Sequence, residues 1–320
     1  MTTETSAMQR MPFKYRLRAW WEGYDLAELA RLLARQPAAA GDDDDTTLPR
    51  AHPPLAAARA TPAAANANSQ GWTPALIAAG QIVFGEHSLS PRGDAQLRAL
   101  ANAAGLGPHS RILHIGAELG GVAAALEHGL GCKVVCVETL PVLVAAAANR
   151  VMLLTPSDGP KLAQADLILV DGVAERSEPL ATLLRNQAGG LAQGGQLVLR
   201  SLVLCDERAA TSARFREWIN GEPIRPRLRT SDELTRIVQE ARLTIATTSS
   251  TSDDYAQDVE RLWGDALDRI RALHRDRAGR ALIPTLLAEG ERWRRRIELI
   301  RDGVIGVRQV VARKRDRGRF

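Results

Sequence analysis

Along residues 110–138, SRILHIGAELGGVAAALEHGLGCKVVCVE, the spacing of apolar positions changes twice. Residues 111–115 are a short β-leaning run, Val122, Ala125, Leu126 and Leu130 recur at helical spacing, and residues 133–137 are β-branched again and close on Glu138. Gly116, Gly120 and Gly121 stand at the join, where a tight turn and a close-packed helix start need backbone freedom. The pattern predicts strand, glycine turn, helix and second strand.

The same alternation predicts the rest of an α/β chain. Upstream, Thr73 caps a helix with Pro74 at its first position, running to about Val83, and residues 84–100 are a turn leading into a helix. Downstream, residues 141–150 read as a helix and 151–155 as a short strand. ADLILV at 165–170 is apolar almost throughout, as a central parallel strand should be. QLVLRSLVL at 196–204 is another strand, preceded by Gly194 and Gly195. A helix is expected at 209–218, and Thr230-Ser-Asp-Glu233 is a capping box opening a helix to about Arg242. A strand at 243–249, two long helices at 253–275 and 278–302, and a strand at 304–312 complete the chain, with a basic tail from 313.

Before Trp72 the pattern is different. Phe13, Tyr15, Trp20, Trp21 and Tyr24 interleave with Lys14, Arg16 and Arg18, and a leucine face follows at Leu26, Leu29, Leu32 and Leu33. Residues 1–36 read as a helical arm packed on the domain; the alternative is an interfacial membrane contact through residues 13–24. Residues 37–70 are Ala, Pro, Asp, Asn and Thr with too few large apolar side chains to offset ordering entropy, and read as a linker. Residues 71–320 are the expected folded domain.

Composition narrows the function classes. The net charge of +5 is spread through helices, which is a solvated surface and not a nucleic-acid footprint. The cysteines are three, Cys132, Cys136 and Cys205, without C-x-x-C spacing, so zinc and structural disulfides are not expected and a reducing, cytoplasmic setting is. No run reaches the ~20 apolar residues of a membrane span.

In a strand-helix-strand unit an acid at the second strand end accepts hydrogen bonds from ribose hydroxyls, so Glu138 asks for a nucleoside. The dinucleotide frame from Gly116 has Glu118 where the middle glycine belongs, and a carboxylate there repels a phosphate at the helix start. NAD is disfavoured, whereas S-adenosylmethionine, a sulfonium nucleoside without phosphate, is compatible. At ILHIGAELGG the chain resembles class I S-adenosylmethionine-dependent methyltransferases, whose first motif reads (V/I)LDIGCGxGG; His114 replaces the usual acid and Glu118 the second glycine. FGEHSLSPRG at 84–93 is similar to the FGEGxxSPGG stretch of phosphoethanolamine-type methyltransferases, with Ser90 and Gly93 at the family positions and His87 and Arg92 departing.

The resemblance implies a Rossmann-like sheet of order 3-2-1-4-5-7-6 with the last strand antiparallel, and a helical insertion at 253–302 that caps the ligand edge. It implies S-adenosylmethionine as cofactor, with Ser90, His114, Gly116, Glu118, Gly120, Glu138 and Asp158 in its site. Asp171, at the end of a central strand, and Tyr255, in the insertion, are the catalytic candidates. Ser90, Asp158 and Asp171 also read as ordinary turn or capping residues, and Tyr255 as a structural tyrosine. Catechol-type relatives bind magnesium with an acid at the position of Asp171 and further ligands after the next strand. That strand offers Arg200 and Ser201, so no metal is expected. The expected function is methyl transfer to a small-molecule or lipid-like acceptor; the alternative is a binding or scaffold protein that kept the fold and lost the cofactor.

Overall fold

The computed structural model describes residues 71–314, apart from 92, 178 and 276. The arm over 1–36, the linker over 37–70 and the end of the tail lie outside the described residues. In chain order the elements are α1 (Pro74–Phe84), α2 (Asp94–Ala103), β1 (Arg111–Ile115), α3 (Gly121–Leu130), β2 (Lys133–Glu138), α4 (Pro141–Ala146) and β3 (Met152–Leu153). Next come β4 (Ala165–Asp171), α5 (Leu180–Ala188), β5 (Leu191–Leu204), α6 (Ala213–Gly221), β6 (Arg229–Thr230) and α7 (Ser231–Glu240). The chain ends with β7 (Leu243–Ser250), α8 (Ser252–Ala272), α9 (Arg277–Arg301) and β8 (Ile305–Lys314).

The main sheet runs β3-β2-β1-β4-β5-β8-β7, with the two-residue β6 beside β5. Strand β8 is antiparallel to both its neighbours, and β1 to β5 are parallel. With β6 set aside this is the expected order, and the expected antiparallel strand is the last one. Local signals explain most boundaries. Thr73 accepts the Leu76 amide at 3.2 Å ahead of Pro74. Thr230 and Glu233 form both halves of their capping box.

Two elements are shorter than the pattern suggests. Helix α4 stops at Ala146 because Ala148 and Asn149 take left-handed backbone conformations (φ 49° and 69°). Strand β3 keeps two residues at the sheet edge, where Met152 and Leu153 are exposed.

Both faces of the sheet are covered, so the central strands are apolar at consecutive positions. Leu113, Ile115, Ile168, Val170, Leu197 and Leu199 pack under α5 and α7. Ile112, Leu167, Leu169 and Val198 point the other way, towards Leu97 of α2 and Leu126 of α3. This period of two decides where the polar ends of the strands go. His114, Asp171 and Arg200 continue the second face.

Helices α8 and α9 return over the carboxyl ends of the strands and pack on α1. Arg269 of α8 donates to the Ile82 and Val83 carbonyls at 2.8 and 3.3 Å, near the end of α1. Phe84 and Trp293 pack as tilted rings, with centroids 4.8 Å apart and planes at 58°.

Candidate functional site

Strand β1 ends in a turn whose first position has room only for glycine. Gly116 has φ 79°, and a Cβ there would overlap the Asp171 carbonyl oxygen and crowd Val173. Gly121 opens α3 with its amide on the His87 carbonyl at 2.9 Å, and a Cβ there would strike the Ser88 hydroxyl. The glycine turn and the 85–93 loop are therefore packed backbone to backbone.

Glu118 adds a side-chain link between them. Its carboxylate accepts the Leu89 amide and the Ser90 hydroxyl, each at 2.7 Å. Burial raises its pKa, and the two hydrogen bonds and the nearby Arg176 charge only partly oppose this.

The floor of the crevice follows from strand register. Asp171 pairs with Arg200 across β4 and β5, and His114 pairs with Leu169, two residues earlier on the same face. Arg200 accordingly grips Asp171 with two donors, Nε to Oδ1 at 2.6 Å and Nη2 to Oδ2 at 2.7 Å, and His114 Nε2 lies 3.0 Å from Oδ2. Burial opposes ionisation, but the Arg200 charge and the bonds from Arg200 and His114 hold the Asp171 carboxyl well below the usual range. Both oxygens are taken up by these partners.

Glu138 is completely buried. Its Oε1 accepts the Thr139 and Leu140 amides at 2.6 and 3.2 Å and the Thr139 hydroxyl at 3.2 Å. Its Oε2 accepts the Glu118 amide and an Arg176 Nη2, both at 3.2 Å.

The cap supplies the opposite wall. Glu175, in the turn after β4, accepts the Ser201 hydroxyl at 3.0 Å and the Leu202 amide at 2.5 Å, and burial pushes its pKa up. Tyr255 of α8 accepts from Arg296 Nη1 at 2.9 Å. Burial raises the Tyr255 pKa even against the Arg296 charge, so the phenol stays protonated and its hydrogen is a donor. Arg296 also donates from Nε and Nη2 to Glu222, at 3.1 and 2.5 Å, and its guanidinium lies 4.3 Å over the Trp293 ring. Arg292 reaches the same Glu222 at 2.7 Å and pairs with Glu289.

These walls line a crevice of about 210 Å³, below the ~300–1,000 Å³ of typical ligand sites. Of the residues singled out from sequence, Ser90, His114, Gly116, Glu118, Asp171 and Tyr255 line it. Gly120, Glu138 and Asp158 do not. Gly120 turns the chain into α3 with φ 96°. Asp158 sits at the surface, capping the Thr155 amide at 2.9 Å and pairing with Lys161 at 3.0 Å, which depresses its pKa.

Glu175, Arg176, Arg200, Glu222 and Arg296 also line the cavity and were not singled out as site residues. Arg200 was readable, as the residue beside Asp171 on the next strand. The others depend on partners brought in from 26 to 74 residues away and carry no local signal.

No protein-family model matches the sequence, and no curated protein sequence matches it. Solved structures do. Haemonchus contortus phosphoethanolamine N-methyltransferase 2, in complex with phosphomonomethylethanolamine and S-adenosylhomocysteine, is similar over 74% of this chain and 56% of its own, with TM-score 0.62 and 17% identity. The same enzyme in complex with S-adenosyl-L-methionine gives TM-score 0.59 at 18% identity, again over 74% and 56% of the two chains. A cyclopropane synthase from Mycobacterium tuberculosis is similar over 73% of this chain and 98% of its own, with TM-score 0.55 and 16% identity. The present chain thus spans just over half the length of the Haemonchus enzyme. It has the fold of the class I S-adenosylmethionine-dependent methyltransferases.

Proposed function

We propose that the chain binds S-adenosylmethionine in the crevice at the carboxyl ends of β1, β4 and β5 and transfers its methyl group to a small-molecule or lipid-like acceptor held under α8 and α9. The observation that carries this reading is a charge imbalance. Glu118 and Glu175 face one cavity as buried carboxyl groups, and among the described residues neither has a basic side chain within ion-pair distance. With Arg176 near both but in contact with neither, burial makes these acids costly to ionise, and a bound cation would relieve that cost. The cofactor fits that demand with its sulfonium and ammonium, while a dinucleotide would bring phosphates.

When bound, the cofactor supplies an activated methyl group, and the chain's own task is chiefly positioning. The loop at Ser90 and the turn at Gly116 hold the amino-acid end, and Glu138 is the ribose acceptor. Asp171 acts through His114 and Arg200, fixing both at the floor. On the acceptor side the Tyr255 hydroxyl orients the nucleophile, and Glu175, whose raised pKa suits a general base, takes its proton.

Calorimetry with S-adenosylmethionine and S-adenosylhomocysteine tests the reading: saturable heat with either is expected. A folded sample giving none at millimolar ligand would remove it. One observation favours the second reading, a scaffold that kept the fold without the cofactor: both carboxylate oxygens of Glu138 already accept hydrogen bonds from within the protein.

A further inference from the structure

Of the five donors to Glu138, three come from the adjoining Thr139 and Leu140 and a fourth is the Glu118 backbone amide of the glycine turn, and these would remain beside a bound nucleoside. The fifth comes from far along the chain. Arg176, 38 residues on, donates Nη2 to Glu138 Oε2 at 3.2 Å and Nε to the Gly172 carbonyl at 2.9 Å, so its side chain is folded back over its own turn. Arg176 lines the cavity and Glu138 does not. The guanidinium therefore lies between the carboxylate and the space a ligand would enter.

We infer that Arg176 is a latch on the nucleoside site: a ribose reaches Glu138 only by displacing the Arg176 guanidinium, so this residue sets how tightly, and how readily, the crevice takes a nucleoside. The inference rests on the proposed cofactor reading. Three features make the latch movable. Residues 172–177 form a turn outside helix and strand, starting at Gly172 with φ 59°. The Nη2–Oε2 distance exceeds the ~2.7–2.9 Å of a tight charge-assisted bond. The displaced charge also has somewhere to go, because Glu118 and Glu175 both already feel the Arg176 charge and have no ion pair of their own.

The size of the effect follows from population arithmetic. Apparent affinity is the intrinsic affinity multiplied by the fraction of molecules that are unlatched. A hydrogen bond to a charged group typically biases such an equilibrium by roughly 10- to 100-fold. Removing the latch should tighten nucleoside binding by a similar factor.

The test is calorimetric titration of wild type, Arg176→Ala and Arg176→Gln with adenosine and with S-adenosylhomocysteine, beside thermal melts of each protein. Arg176→Gln keeps the volume and much of the turn, in case the alanine variant does not fold. The expected result is at least tenfold tighter binding of both probes in a folded Arg176 variant, with the gain abolished when Glu138→Gln is added. A lowered melting temperature with unchanged or weaker binding would mean that Arg176 is only structural, overturning the latch while leaving the cofactor reading in place. If no folded variant and no wild-type sample binds either probe, the cofactor reading falls and the latch falls with it, a result distinct from the previous one.

Discussion

Glu118 reaches back 28 residues along the chain to accept the Ser90 hydroxyl at 2.7 Å. The residue that displaces a glycine in the turn is thus a clasp on the loop before it. Its carboxylate lines the cavity while holding the Leu89 amide and the Ser90 hydroxyl.

Glu118→Gln should preserve the clasp, because an amide oxygen accepts the Leu89 amide and the amide nitrogen donates to Ser90. Glu118→Ala leaves those groups without a partner and should cost roughly 1–3 kcal/mol, with faster amide exchange at Leu89. The wild-type pH dependence has a definite sign. Burial raises the folded pKa, so the folded chain holds a proton that the unfolded chain sheds first. This group's contribution is complete below the ordinary carboxylate range and is lost as pH rises through the folded pKa. Urea midpoints should show Glu118→Gln gaining on wild type as pH rises from the ordinary carboxylate range through the raised folded pKa; a constant gap would refute the account.

Asp171→Asn should be among the most damaging changes at the floor. It removes the counter-charge of Arg200, whose Nε and Nη2 both rely on that carboxylate, and breaking a buried pair typically costs roughly 3–5 kcal/mol. Adding Arg200→Met removes the guanidinium that loses these two bonds, so the double variant should recover part of the stability lost in Asp171→Asn. A double variant less stable than the single one would contradict the pairing.

The turn glycines are not equivalent. At Gly116 an added methyl overlaps the Asp171 backbone, whereas at Gly120 the nearest atoms, in Arg150 and Val151, are 3.8 Å away. Gly120→Ala meets only the strain of a left-handed residue, about 1–2 kcal/mol. Gly116→Ala must also move a central strand, so its denaturant midpoint should fall well below that of Gly120→Ala. Equal losses would show that strain alone governs both.

What the sequence made legible was whatever is settled within a few residues. The change of period around Gly116, the Thr73-Pro74 start and the Thr230-Glu233 box each fix an element by local hydrogen bonding, and each is present. Helix α4 is shorter than its apolar spacing predicts because Ala148 carries no sign of a left-handed turn, and the one local hint is Asn149, a residue that tolerates that conformation. Helix α5 gave little local signal, with Pro179 at its N-cap position and no side-chain cap. The candidate site was half legible for the same reason. Ser90, Glu118 and Asp171 stand in motifs, but Arg176, Glu175 and Glu222 gain their meaning from distant partners. Glu138 was singled out as an acid at a strand end, and its engagement by Arg176 has no trace in the local pattern.

Glu222 gives the last expectation, and its sign is opposite to that of Glu118. It follows the end of α6 and takes two guanidinium groups from α9, Arg292 at 2.7 Å and Arg296 at 2.5 and 3.1 Å. Arg296 in turn holds the Tyr255 hydroxyl, so one carboxylate ties α9 and α8 to the wall of the crevice. Burial disfavours its charge, but the two arginines outweigh burial and depress its pKa. Its stabilising contribution is therefore present above the ordinary carboxylate range and lost as pH falls through the folded pKa. Glu222→Gln leaves Arg292 with Glu289 but strips Arg296 of its counter-charge, and should cost roughly 3–5 kcal/mol at neutral pH. Unfolding curves should show the gap between wild type and Glu222→Gln narrowing towards acid, where the gap between wild type and Glu118→Gln also closes but from the other side. Adding Arg296→Met should restore part of the loss, because the remaining partners of Glu222 and Arg292 are undisturbed. A gap that widens towards acid, or a double variant no better than Glu222→Gln, would mean that the cap is held by packing around Trp293 and not by this carboxylate.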